Sequence, residues 1–227
     1  IIYMYTEAFG RASYLVSRSR GKKSTVSKAL FIPLSVLEME VEHLNKRDLH
    51  RIKETRICFP LNDVCCDPVK NVLALFLSEV LFRVVKDTEP DPRLFDYLYE
   101  SIHLLEYADK GIANFHMVFL LGLLHHLGIF PNMESHRVGY YFDMLNGVFT
   151  DHIPMHRHYL NKVESAFFSR LLRISFENMS LYGFSRQERV RIIHRILEYY
   201  CLHLPDFPEI KSLLVIYILF YLFILCF

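Results

Sequence analysis

No cysteine pair of the CxxC kind, no glycine-rich phosphate loop and no nucleophile elbow occur among the 227 residues. The five cysteines (Cys58, Cys65, Cys66, Cys201 and Cys226) lack zinc-site spacing. With no signal peptide ahead of them, they read as reduced cytosolic thiols. GxGxxG, GxxxxGK[ST] and GxSxG are all missing. The stretch Arg20-Gly21-Lys22-Lys23-Ser24 resembles a phosphate loop only in part, because the first glycine is absent. These absences leave no catalytic constellation, so a non-enzymatic protein is expected, with no cofactor, no metal and no small-molecule substrate. An initial methionine is also missing. The chain enters on a strand-like run at Ile1, which suggests that the natural protein begins earlier.

Net charge is nearly absent too, at +1, but its distribution is uneven. Residues 1–57 carry eleven Lys/Arg against six Asp/Glu, a net of +5, and residues 58–227 carry fifteen against nineteen, a net of −4. A basic head on a mildly acidic body points the head towards a polyanion.

The head reads as β. Residues 1–6 and 13–17 are short apolar and alternating runs, and residues 51–59 are β-branched and stop at Pro60. In residues 35–43, Leu37, Met39 and Val41 alternate with Glu38, Glu40 and Glu42, a period of two. Several short strands joined by polar loops suggest a small barrel or sandwich over residues 1–60. From Asp67 the period becomes helical. Asp67-Pro68 and Asp91-Pro92 each supply an N-cap with a first-turn proline. Residues 115–127 are apolar nearly all round and Gly128 stops them. A helix is predicted over about residues 159–174, and another opens with the capping box Ser185-Arg186-Gln187-Glu188. The expected class is therefore α+β: a small β-domain, then a helical domain over residues 67–212. Residues 213–227 carry no charge. As a helix they would reach roughly 22 Å, short of the ~20 residues that cross a bilayer core, so a buried segment, or a tail that is not the natural one, is favoured over an anchor.

The functional signal is the basic run. Between residues 11 and 28 stand Arg11, Arg18, Arg20, Lys22, Lys23 and Lys28, with serines, a threonine and a glycine among them and no acid. Cations that neutralise phosphates release counterions, which gives salt-sensitive affinity with little sequence preference. Tyr3, Tyr5, Tyr14 and Phe31 lie nearby in sequence, where bases of a single strand could stack, although aromatics at such positions more often fill a core. A second cationic group is Lys46, Arg47, Arg51, Lys53 and Arg56, of which Arg51 and Lys53 are placed on one strand face, either extending the surface or forming an ordinary exposed face. His152, His156 and His158, beside Asp151, have imidazoles that zinc could use, but neighbouring cysteines are lacking and a loop of ordinary histidines is favoured.

Glu7-Ala8-Phe9-Gly10-Arg11, Leu49-His50-Arg51-Ile52-Lys53-Glu54, Ala74-Leu75-Phe76-Leu77-Ser78-Glu79-Val80-Leu81, Tyr141-Phe142-Asp143 with Gly147-Val148-Phe149, and Leu204-Pro205 with Glu209-Ile210-Lys211-Ser212 stand in an order and spacing that resemble the RecO family of Bacteroidetes. The resemblance covers roughly residues 3–213. It implies an oligonucleotide-binding (OB-fold) barrel and binding of single- and double-stranded DNA at Arg11, Arg18, Arg20, Lys22, Lys23, Lys28, Arg51 and Lys53. It further implies annealing of complementary strands, and RecR and single-stranded-DNA-binding protein as partners in loading RecA. The implied place is the bacterial cytoplasm, at the nucleoid. Three departures stand out. The family's first barrel strand would precede Ile1; the four-cysteine zinc site of many members is replaced by Tyr141-Phe142-Asp143; and the apolar run 213–227 stands where members carry a proline and a polar end. Two other classes compete: a helical protein attached to a membrane by its tail, and a histidine-based metal hydrolase.

Overall fold

A computed structural model describes residues 1–16, 28–43, 47–86 and 89–222, with residues 28 and 218–222 described by backbone alone. The chain is α+β and divides into two compact units, Ile1–Ala108 with Ile210–Phe227, and Asp109–Glu209.

The first unit opens with four strands, β1 (Ile2–Thr6), β2 (Gly10–Leu15), β3 (Leu37–Glu42) and β4 (Leu49–Ile57). They pair in the order β1-β2-β4-β3, with β2 and β4 parallel and the other two pairings antiparallel. The alternation read from sequence holds in β3: Leu37, Met39 and Val41 are half-buried while Glu38, Glu40 and Glu42 are exposed. On β2 the inward set is Gly10, Ala12 and Tyr14. The sheet curls. Phe9, in the turn after β1, stacks on His43, just past the opposite edge strand, with ring centroids 3.9 Å apart. Curling is not closure, however. Among the described residues β1 and β3 each pair on one side only, so the closed barrel expected from the sequence is not formed by these strands.

Helices α1 (Asn62–Cys66), α2 (Pro68–Val84) and α3 (Pro92–Tyr107) follow in the same unit. Asp67 accepts bonds from the amides of Val69 and Lys70, and Asp91 from those of Arg93 and Leu94, so both Asp-Pro starts act as expected. Buried Glu106 does the same for α1, accepting from the amides of Asp63 and Val64, while buried Lys70 donates to the Glu106 carbonyl at 2.6 Å.

The second unit holds α4 (Ile112–His126), a small sheet of β5 (Tyr141–Asp143), β6 (Val148–Thr150) and β7 (Tyr159–Leu160), then α5 (Lys162–Leu171) and α6 (Arg186–His203). Ten of the fifteen residues of α4 are buried, as an all-round apolar helix requires. The helix predicted from residue 159 starts later. Tyr159 and Leu160 pair with β5, and Asn161 begins α5 with a full capping box. The Ser185 box at the head of α6 forms as predicted. The core is fixed by buried hydroxyls: Tyr200 donates to the Leu120 carbonyl at 2.7 Å and Tyr199 to that of Ile129 at 3.0 Å. Gly147, in the turn between β5 and β6, has φ +64° and lies against Tyr199. A Cβ there would meet the Tyr199 hydroxyl at 2.6 Å, so this turn accepts only glycine.

The uncharged run from residue 213 forms α7 (Leu213–Leu222), back in the first unit. Its start is capped by Glu79 of α2, whose carboxylate accepts from the amides of Lys211 and Ser212 and from the Ser212 hydroxyl. Burial works against the charge of Glu79, but those bonds and nearby Arg83 hold its pKa below the usual carboxylate value. Ile216 is wholly buried, whereas Leu214 is exposed. No helix among the described residues is long and apolar enough to cross a membrane.

Candidate nucleic-acid interface

The parallel pairing of β2 and β4 organises the basic side of the first unit. Its register sets Tyr14 beside His50 and Leu15 beside Arg51, so the chain leaves β2 next to the start of β4. Arg18, Arg20, Lys22 and Lys23 lie outside the described residues. Lys28 stands in a short 3-10 turn with Ala29 and Leu30, described by its backbone.

Arg11 faces a helix end. Its Nη1 donates to the carbonyls of Phe82 and Val85, both at 3.0 Å, where α2 has unpaired carbonyls. The guanidinium also lies over the Phe82 ring at 4.6 Å and the Tyr3 ring at 5.5 Å. Arg11 therefore ties β2 to α2. Sequence reasoning had no signal for this, because the partners are backbone carbonyls some seventy positions away.

Arg51 and Lys53 are both exposed, but a bulge changes the strand's phase between them and the next cation. Glu40 pairs with Glu54 and Val41 with Ile52, which leaves Lys53 as the extra residue on β4. Before the bulge the odd positions Arg51 and Lys53 face solvent; after it Glu54 and Arg56 do. Carboxylates of β3 stand opposite. Lys53 lies 3.5 Å from Glu40, Arg56 3.5 Å from Glu38, and Arg51 is the cross-strand partner of Glu42. This face is thus a ladder of mixed charge, with cations on β4 and acids on β3.

Beneath it lies an aromatic column. Phe9, His43 and His50 stack with successive centroids 3.9 Å apart, and Tyr14 closes the end at 5.8 Å from His50. Burial, then the neighbouring His43, pushes the His50 pKa below that of a free imidazole, against a smaller opposing effect of Asp48. Burial raises the Tyr14 phenol. Of the aromatics singled out from the sequence, Tyr14 is core and Tyr3 is 53% exposed. Tyr5 bonds through its hydroxyl to both the amide and the carbonyl of Asp91. A cavity of about 630 Å³ separates β1 and β3, lined by Tyr3, Phe9, Tyr14, Phe31, Phe82 and Tyr99 among others.

In the second unit the three histidines go to three different carboxylates. His152 lies 2.9 Å from Asp151, His156 3.2 Å from Asp143, and His158 3.3 Å from Glu198. No group of three metal-ligating side chains converges among the described residues.

Comparison with known proteins supplies the family of the chain. The family described as "Recombination protein O C terminal" matches residues 66–213. A protein of Azobacteroides pseudotrichonymphae genomovar. CFP2 named DNA repair protein RecO is 40% identical over 220 residues, 97% of this chain and 91% of the relative. Its namesake in Bacteroides fragilis is 44% identical over 214 residues, 94% and 88% of the two chains, and that of Porphyromonas gingivalis 37% over 216 residues, 93% and 88%. With the family match spanning more than half its length, and with relatives this similar along nearly the whole of it, the chain belongs to the RecO family of DNA repair proteins.

Proposed function

We propose that the chain serves DNA repair as a recombination mediator whose first unit holds DNA through the cations of β4 and the basic run that leaves β2. A mediator that binds single strands and duplexes, anneals complements and helps load a recombinase must grip phosphates without reading bases. The carrying observation is the Leu15–Arg51 register, which brings the root of the basic run beside the first exposed cation of β4. The order β1-β2-β4-β3 with one parallel step is the order four strands of a five-stranded oligonucleotide-binding barrel would take, and supports reading residues 1–60 as such a barrel. In this reading residues 67–212 form the helical domain, and the chain works without catalysis at the nucleoid in the bacterial cytoplasm. RecR and single-stranded-DNA-binding protein are its partners, and RecA benefits indirectly. Arg170, Arg173 and Arg191, all exposed, are offered to the acidic tail of the single-stranded-DNA-binding protein, whereas Arg186 is half-buried. Arg189 is less free for that role, because its Nε donates to buried Asn114.

Charge reversal of Arg18, Arg20, Lys22 and Lys23 to Glu tests the assignment. The unchanged protein is expected to anneal complementary strands with a steep salt dependence, and the variant to lose annealing and binding. Undiminished binding by the variant would remove the run from the interface. Arg11 is left out of that variant because its loss would also loosen α2.

A further inference from the structure

The face through which β4 would hold a phosphate backbone carries no excess of positive charge. Arg51, Lys53 and Arg56 share it with Glu38, Glu40 and Glu42 of β3 and with Glu54 of β4 itself, all of them exposed. Strand register puts the acids there. The period of two along β3 sends Leu37, Met39 and Val41 to the half-buried side, so the three glutamates stand together on the other. The bulge at Lys53 then brings Arg56 opposite Glu38 and Glu54 opposite Glu40. Without that extra residue, alternation from Arg51 and Lys53 would turn Arg56 to the inner side.

These contacts are poorly suited to holding the sheet together. Glu40 and Glu54 face each other as like charges, an arrangement that costs stability. The ion pairs are loose. Lys53 Nζ lies 3.5 Å from Glu40 and Arg56 Nε 3.5 Å from Glu38, with all four side chains more than half exposed. Firm charge-assisted bonds close to about 2.7–2.9 Å, and pairs as open as these add little to stability. What the carboxylates do is occupy the places on those cations that phosphate oxygens would take. Lys53 and Arg56 must each release an acid before neutralising a phosphate, and Arg51 has Glu42 as its cross-strand partner.

We propose that Glu38, Glu40 and Glu42 form an autoinhibitory row, an internal stand-in for phosphates that lowers the affinity of the β4 cations for DNA. The inference rests on the DNA-repair reading and adds to it the regulation of that same face. Because the pairs are exposed and loose, the row weakens binding without preventing it. DNA held by the basic run, which leaves β2 beside Arg51, competes with the acids from close by. As a strand departs, the acids take the cations back. A protein that anneals strands must let go of the product, and such a row favours release.

The test is a double-mutant cycle on the full chain, read by the anisotropy of a labelled single strand at fixed salt. Glu40→Gln is expected to tighten binding about threefold. The triple variant Glu38→Gln, Glu40→Gln, Glu42→Gln should gain about tenfold, with a steeper salt dependence. In a Lys53→Gln background the gain from Glu40→Gln should vanish, because Glu40 has then lost the cation it pairs with. Asp96→Asn on α3, an exposed acid outside the sheet, controls for net charge and should leave the affinity unchanged. Equal gains from Glu40→Gln with and without Lys53 would overturn the row, because the acid would then act by general repulsion. A triple variant with no gain overturns it as well. If neither the unchanged protein nor the triple variant binds DNA, the repair reading itself fails, an outcome separable from the others. All the substitutions alter exposed side chains, and an unchanged urea midpoint checks that affinity rather than folding is being read.

Discussion

Strand β3 buries none of its six residues, whereas α4 buries ten of fifteen, and the contrast runs through the units to which they belong. The sheet of the first unit is half-wet. One face carries cations and acids in facing rows, and among the described residues its edges β1 and β3 each pair on one side only, with a cavity of about 630 Å³ lined by residues of both. The second unit packs rings against rings. Phe142 is wholly buried, with centroids of Phe149, Phe168 and Tyr199 at 4.8, 4.9 and 6.0 Å. A sheet with one charged, exposed face has less apolar surface to bury, so it relies for stability on anchors such as Arg11 and on the helices packed in the same unit.

The largest expected effect tests that contrast. Phe142→Ala should cost about 4 kcal/mol, because the surrounding rings can only partly fill the space. Met39→Ala on half-buried β3 should cost about 1 kcal/mol. Urea unfolding of both variants decides it; equal losses would mean that the sheet is packed as tightly as the core. Next in size is Glu106→Ala. It removes the acceptor from two amides of α1 and should cost about 3 kcal/mol, more than any surface carboxylate. A loss below about 1 kcal/mol would show that water replaces the carboxylate.

Much of this was legible in the sequence, for local reasons. The Asp-Pro starts, the Ser185 box and the alternation of β3 are set by neighbours within four positions, and each appears where predicted. What escaped depends on distant partners. Tyr159 and Leu160 continue the apolar period of α5, yet they pair with β5, because Asn161 caps the helix more strongly than two extra residues extend it. The bulge at Lys53 has no glycine to announce it. Arg11 reads as one more cation of the basic run, and only the fold brings the carbonyls of Phe82 and Val85 to it.

A pH effect sharpens the same comparison. His116 on α4 is wholly buried, and burial, with a smaller contribution from Arg189, lowers its pKa from 6.5 to about 3. Between those values the unfolded chain binds a proton that the folded chain refuses, so stability falls as the pH drops through 6.5 and continues to fall towards 3. At pH ~5 the loss from this residue is about 2 kcal/mol. His116→Met should remove that share of the acid sensitivity. Unfolding series near pH 7 and pH 5 check it, and an unchanged pH dependence would place the sensitivity elsewhere, with His50 the next residue to examine.

The smallest stability effect is expected where the functional effect is clear. Lys53 and Glu40 are both more than half exposed and 3.5 Å apart, so Lys53→Gln should change unfolding free energy by no more than about 0.5 kcal/mol. If the same lysine meets a phosphate, the variant binds a labelled single strand more weakly, and the slope of log Kd against log salt shrinks by about 0.7. Adding Arg51→Gln should remove a similar further share, since Arg51 stands beside the root of the basic run. Glu40→Gln should act in the opposite direction, strengthening binding by freeing Lys53 from its acid. Anisotropy titrations over a salt series read all three. A Lys53→Gln chain that loses stability but keeps its salt slope would make the β4 cations structural, and would leave DNA affinity to the basic run between β2 and β3.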